Sequence, residues 1–206
     1  MSDSRESRYG LLLAIVLCCV CTADVRAESG AIPELVAICA GCHGEKGLAI
    51  SHPSSPIIAG IPAQHFEEAL YSYQDGARQC EIEPAMCAAV SNLQEEQIVE
   101  LADYFSAIPR VDSTELYDNA LAEIGEVIHN DRCARCHTHP EDEDAAESLG
   151  IPLNGQRSAY LRYALEGYLN GRRTTLAPRM AEAMDGFDDK DIESLLHYYA
   201  SHRSPE

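Results

Sequence analysis

The chain has 206 residues, and its 34 acidic side chains outweigh 15 basic ones to give a formal charge of −19. A surplus of this sign argues against nucleic acid and against anionic membrane surfaces as partners. It favours a partner with a basic docking face. There is no tryptophan, but there are nine cysteines, and their placement carries most of the information.

The first residues read as a targeting segment. Arg5 and Arg8 precede an apolar run from Leu11 to Val20, and Val25-Arg26-Ala27 offers a small-residue cleavage site. The run is too short to span a bilayer. The pattern predicts a signal peptide over 1–27, export to the periplasm and no integral membrane segment after cleavage; retention of the leader as an anchor is the alternative. Cys18, Cys19 and Cys21 leave with the leader, and six cysteines remain.

A helix is predicted over Ile32–Cys42, and near its end stands Cys39-Ala40-Gly41-Cys42-His43. Two cysteines one helical turn apart can each form a thioether to a haem, and the histidine that follows can bind the iron from below. The next helix is predicted over Ala63–Gly76, with Phe66, Ala69, Leu70 and Tyr73 at the three-and-four spacing of one face and Asp75-Gly76 as its stop. Cys80 and Cys87 follow, bracketing Met86. An even remainder of cysteines in an exported chain suggests that these two form a disulfide. A third helix is predicted over Leu93–Ile108, with Ser91-Asn92 as its cap region. This first haem domain is placed at 28–109.

Residues 110–118 read as a linker, and 119–206 repeat the plan. A shift of 94 residues carries Cys39, Cys42 and His43 onto Cys133, Cys136 and His137, and Ile98, Leu101, Tyr104 and Phe105 onto Ile192, Leu195, Tyr198 and Tyr199. One further residue of shift carries Gly60, Ala69, Leu70, Tyr73, Gly76 and Arg78 onto Gly155, Ala164, Leu165, Tyr168, Gly171 and Arg173. The chain is therefore an internal duplication, with second-half helices predicted near Leu121–Cys136, Ser158–Gly171 and Asp188–His202. No alternating strand pattern is present. Each half is small for a self-sufficient core, and a buried haem would supply the missing apolar bulk.

Paired cysteines have two other common uses. A four-cysteine zinc site normally has its pairs far closer in sequence and gives no reason for a histidine after each. A dithiol redox site needs one pair beside a βαβ pattern. Two covalent haem c groups fit better, held by Cys39, Cys42, Cys133 and Cys136, with His43 and His137 as iron ligands. The sixth iron position falls to Met86 and, by the shift of 94, to Met180; Met184 competes for the second role, and core filling is the ordinary use of a methionine. Arg78 and Arg173 hold matched positions suited to haem propionates, to the space between the halves, or to solvated helix ends. His52, His65, His129, His139, His197 and His202 have no matched partner and read as structural or surface residues.

With these motifs in place the chain resembles the dihaem class I cytochromes c, over nearly the whole mature length. Cys-Ala-Gly-Cys-His-Gly from Cys39, Ile58-Ala59-Gly60 and Leu101-Ala102-Asp103-Tyr104-Phe105 resemble both the free-standing cytochrome c-four carriers and the cytochrome subunit of flavocytochrome c sulfide dehydrogenase. Ala120-Leu121-Ala122, Tyr160-Leu161-Arg162-Tyr163-Ala164, Gly171-Arg172-Arg173, Arg179-Met180-Ala181 and Tyr198-Tyr199-Ala200-Ser201 resemble the latter more. The resemblance implies an all-α fold of two tandem class I cytochrome c domains. It implies an electron-transfer subunit with no catalytic residue of its own, taking electrons from a FAD-containing sulfide dehydrogenase. The alternative is a carrier delivering electrons to a terminal oxidase, with a dihaem redox enzyme as a third possibility. The Cys80–Cys87 insertion departs from the pattern of either group.

Overall fold

The structure is a computed structural model, and it describes residues 31–49, 54–81, 84–137, 151–174 and 178–202. The signal-peptide reading over 1–27, with its three cysteines, and the readings of His52 and His139 lie outside the described residues.

Eight α-helices follow in order: α1 Ala31–His43, α2 Ala63–Gln74, α3 Pro84–Val90, α4 Glu95–Ser106, α5 Asn119–Arg132, α6 Ser158–Leu169, α7 Pro178–Met184 and α8 Asp189–Ser201. Among the described residues there is no strand, only an isolated antiparallel bridge between Arg78 and Arg173. Helix and cap chemistry agree. Asp118 accepts from the Leu121 amide at 3.0 Å to start α5. Asp188 accepts from the Lys190 and Asp191 amides while Asp191 accepts from the Asp188 amide, a reciprocal box that starts α8. α4 begins later than the sequence suggests: Gln94 is its cap, its amide bonded to Gln97 Oε1 at 2.9 Å, and Ser91-Asn92 lie in the preceding turn. Gly76 and Gly171 take left-handed conformations, φ +80 and +76, just past the ends of α2 and α6.

Each half buries its own apolar cluster. In the first, Phe66 and Leu70 of α2 meet Ile98, Leu101, Ala102 and Phe105 of α4, with Phe66 stacked on Phe105 at 5.4 Å. In the second, Leu161 and Leu165 of α6 meet Ile192, Leu195, Leu196, Tyr198 and Tyr199 of α8. α5 lies hard against α8 because position 125 is glycine: a Cβ there would overlap the Ser194 carbonyl.

The duplication is written into the hydrogen bonds. The Gly60 amide donates to Phe105 O, and the Gly155 amide to Tyr199 O, both at 2.9 Å. The Arg78 amide donates to Ser72 O and the Arg173 amide to Gly167 O. The two Arg turns then meet face to face, with the Gln79 amide on Arg172 O and the Thr174 amide on Ala77 O. A second contact between halves is not symmetric. Gln156, 3% exposed, accepts from the Ile57 amide at 2.8 Å and donates to its carbonyl at 2.9 Å. The connecting segment is pinned rather than loose: Arg110 bonds Asn154 O, Glu115 takes the Ser158 amide, and the Asp118 amide donates to His197 Nδ1.

Candidate functional site

The first C-x-x-C-H motif forms the last turn of α1, so Cys39 and Cys42 share one helical turn. The second differs from expectation. α5 ends at Arg132, and Cys133–His137 continue as a turn whose Cys136 and His137 amides both return to Cys133 O. The spacing of thiols and imidazole survives without a regular helix.

The two imidazoles are held alike. His43 is 8% exposed, and its Nδ1 donates to Pro56 O at 3.0 Å; His137 Nδ1 donates to Ile151 O at 2.9 Å. Pro56 and Ile151 are themselves matched by the duplication. A bond at Nδ1 fixes the tautomer and leaves Nε2 as a lone-pair donor, as an iron ligand requires. Burial pushes both imidazoles below their ordinary titration range, against a smaller opposing effect of the carbonyl bond, so both are neutral at pH 7. Burial likewise pushes the Cys39 thiol up to about 11 and raises that of Cys133. Raised thiols are poor nucleophiles, which disfavours a dithiol redox site. None of the four motif cysteines is in a disulfide, and among the described residues no three His, Cys, Asp or Glu side chains converge on a metal-sized point.

The methionines lie on two short helices that the sequence reading did not contain. α3 and α7 are seven residues each and superpose under the shift of 94, so Met86 falls on Met180 and Val90 on Met184. Met86 and Met180 are half-buried at the edges of the two cores. Met184 is 3% exposed and Val90 2%, both inside their cores. The matched valine marks position 184 as a packing position, whereas Met86 and Met180 lie at the edges of their cores. Cys80 and Cys87 are joined in the structure, with Cα atoms 6.0 Å apart. The bond ties the interface turn of Arg78–Gln79 to α3 one residue after Met86.

Arg78 and Arg173 are not solvated helix ends. They meet between the halves, each guanidinium over a matched ring, Tyr73 at 5.4 Å and Tyr168 at 4.9 Å. Tyr160 hydrogen-bonds both; burial pushes its phenol up, but the two guanidiniums pull it below its ordinary value. His65 lies near Arg78 and near enough to His137 to disfavour its protonation. Among the described residues Arg173 Nε and Arg172 Nη1 are buried without a hydrogen-bond partner. Paired thiols and Nδ1-anchored imidazoles in each half, with cationic donors of spare capacity between the halves, have the chemistry that suits a haem and its anionic propionates.

His129, read from the sequence as a structural or surface residue, is buried. It is 6% exposed, and its Nδ1 lies 3.1 Å from the Tyr199 hydroxyl. The usable signal was in the alignment: the matched residues of the first half are Leu35 and Phe105.

No family model matches the chain. It is 29% identical over 184 residues to the thiosulfate dehydrogenase electron acceptor of Stutzerimonas stutzeri strain A1501, covering 84% of this chain and 82% of that one. Its fold matches cytochrome c4 of Acidithiobacillus ferrooxidans with a TM-score of 0.64 and 25% identity, covering 81% of this chain and 99% of that one. It also matches thiosulfate dehydrogenase TsdBA of Marichromatium purpuratum with a TM-score of 0.65 and 22% identity, covering 80% of this chain and 36% of that longer one.

Proposed function

We propose that this chain, a dihaem class I cytochrome c of the cytochrome c4 group, accepts electrons from a thiosulfate dehydrogenase and passes them on in the periplasm. The observation that carries the reading is the repeated cradle, His43 on Pro56 O and His137 on Ile151 O, in halves that each also carry a short methionine-bearing helix. Cys39 and Cys42 would hold one haem c and Cys133 and Cys136 the other, with His43 and Met86, and His137 and Met180, as the residues that would bind the iron. Each group, when bound, supplies a one-electron ferric–ferrous couple, and a thioether ligand favours the ferrous form.

The protein's own residues do the rest. The two apolar clusters exclude water from the ligand sulfurs, and the Cys80–Cys87 bond limits the travel of Met86. Arg78, Arg172 and Arg173, with guanidinium nitrogens to spare between the halves, would be available to haem propionates. Residues 1–27 form the leader, 28–109 and 119–206 the two cytochrome domains, and 110–118 the connection. The acidic surface orients a partner with a basic face.

We favour a thiosulfate dehydrogenase as donor over the FAD-containing sulfide dehydrogenase that the sequence resemblance implies, because a relative of this chain is described as a thiosulfate dehydrogenase electron acceptor. The test is stopped-flow mixing of the oxidised protein with thiosulfate and purified thiosulfate dehydrogenase, followed at the haem α band. Reduction of both haems is the expected result. Reduction only by a FAD-containing sulfide dehydrogenase would move the role to that complex.

A further inference from the structure

We propose that Gln156, a side chain of the second half, is a positioning residue for the iron histidine of the first: through the peptide group between Pro56 and Ile57 it strengthens the hold on His43 Nδ1–H and so lowers the reduction potential of the first haem site. The inference rests on the two-haem reading above and adds to it a residue that makes the two sites unequal.

The contacts form one unbroken chain. His43 Nδ1 donates to Pro56 O at 3.0 Å. That carbonyl shares its peptide group with the Ile57 amide, which donates to Gln156 Oε1 at 2.8 Å. Gln156 Nε2 returns a bond to Ile57 O at 2.9 Å, and Oε1 also accepts from the Arg157 amide at 2.9 Å. A side-chain atom that receives two N–H donors must be the amide oxygen, so the direction of the chain is fixed. Gln156 is 3% exposed, Ile57 2% and His43 8%, which keeps the chain away from bulk water. In such a setting hydrogen bonds in series polarise one another. Pulling on the Ile57 N–H moves electron density to the Pro56 oxygen, which then accepts more strongly from Nδ1–H. A stronger bond at Nδ1 makes Nε2 a more basic ligand. A more basic ligand favours the oxidised state, in which the site carries more positive charge, and hydrogen bonding around a haem is one of the levers on its potential.

The duplication supplies the contrast. His137 Nδ1 donates to Ile151 O at 2.9 Å, but the next residue is Pro152, so that peptide group has no N–H to be pulled. The residue matched to Gln156 is Ile61, whose side chain has no hydrogen-bonding group to offer in return. The repeat therefore departs from symmetry at two complementary places, and both departures concern the same peptide group. Packing alone does not ask for a glutamine here. A buried amide is unfavourable unless it is bonded, and the bonds this one makes all go to backbone, two of them to Ile57.

The test is proton–nitrogen NMR of the reduced, haem-loaded protein, paired with a spectroelectrochemical titration that resolves two one-electron steps. Gln156→Met keeps the length of the side chain and removes the amide. Ile57→Pro removes the N–H and installs the residue that the second half carries at the matched position. Each should move the His43 Nδ1 proton upfield and leave the His137 proton in place. Each should also raise the equilibrium constant for reduction in one step by about twofold to fivefold, the scale of cooperative strengthening between bonds, and leave the other step unmoved. Tenfold corresponds to about 59 mV for a one-electron couple. The double variant should go no further than the larger single effect, because both changes act on one peptide group. Gln156→Glu keeps an oxygen to accept from the Ile57 amide, so the His43 proton should stay at or downfield of its wild-type position. A side chain that merely clamped the halves would shift that proton alike in the Glu and Met variants. A His43 proton that does not move, equal movement of both imidazole protons, additive single effects, or a step that falls in the Met or Pro variant would overturn the inference. Two haems per chain confirm loading, and if Gln156→Met loads poorly, Ile57→Pro and Gln156→Glu decide the question. A wild-type protein without haem would overturn the functional reading and this inference together, whereas a loaded protein that thiosulfate dehydrogenase fails to reduce overturns only the choice of donor.

Discussion

At the scale of residues, two methionines one turn of helix apart have different surroundings. Met184 occupies the place of Val90 and fills the core, whereas Met180 matches Met86 at the core's edge. Met184→Ala should cost about 2–5 kcal/mol of stability, the usual range for emptying a buried site, and leave the far-red sulfur-to-iron absorption band intact. Met180→Ala should remove about half of that band, since one of two sulfur ligands is lost. Absorption spectra of the two oxidised variants, with a denaturant titration, separate these outcomes; the reverse pattern would transfer the ligand role to Met184. The two C-x-x-C-H motifs were legible because their spacing is local in the sequence. His129 was not, because the meaning of a buried histidine depends on what faces it from 70 residues away.

At the scale of elements, α5 and α8 test the close-approach argument. Alanine is ordinarily better than glycine inside a helix by about 1 kcal/mol. At Gly125 the new Cβ would overlap the Ser194 backbone, which cannot swing aside as a side chain can. Gly125→Ala should therefore be destabilising by about 1–3 kcal/mol, and a gain in thermal stability would contradict the packing described here. The Cys80–Cys87 bond closes a short loop, and Cys87→Ser should cost roughly 2–3 kcal/mol in the chain-entropy account. Its effect should be confined to the Met86 half, since the second half has no counterpart. The six longer helices were legible from their apolar spacing. α3 and α7 were not, because seven residues rich in alanine and methionine show no amphipathic period. The end of α5 was misplaced because Cys133–His137 keep the motif's spacing in a turn.

At the scale of the whole molecule, two features set behaviour. The halves are joined by the paired Arg turns and by Gln156 on the Ile57 backbone, contacts no local pattern could reveal because their partners are about a hundred residues apart. Gln156→Leu leaves the Ile57 amide and carbonyl buried and unpaired, at about 1–3 kcal/mol for each group. Small-angle scattering of that variant should show a looser arrangement of the halves; an unchanged profile with unchanged stability would remove Gln156 from the interface account. The net charge of −19 sets the second feature. Association with a basic-faced donor should slow steeply as salt rises, since the Debye length is only ~10 Å at ~0.1 M. The duplication itself was fully legible, because matched residue types in order survive where contacts do not show. Everything rests on two covalently held haems, and intact mass spectrometry of the denatured mature protein measures this most directly. The account predicts a polypeptide carrying two haem additions that survive acid-acetone extraction, while a mass equal to that of the bare chain would contradict it.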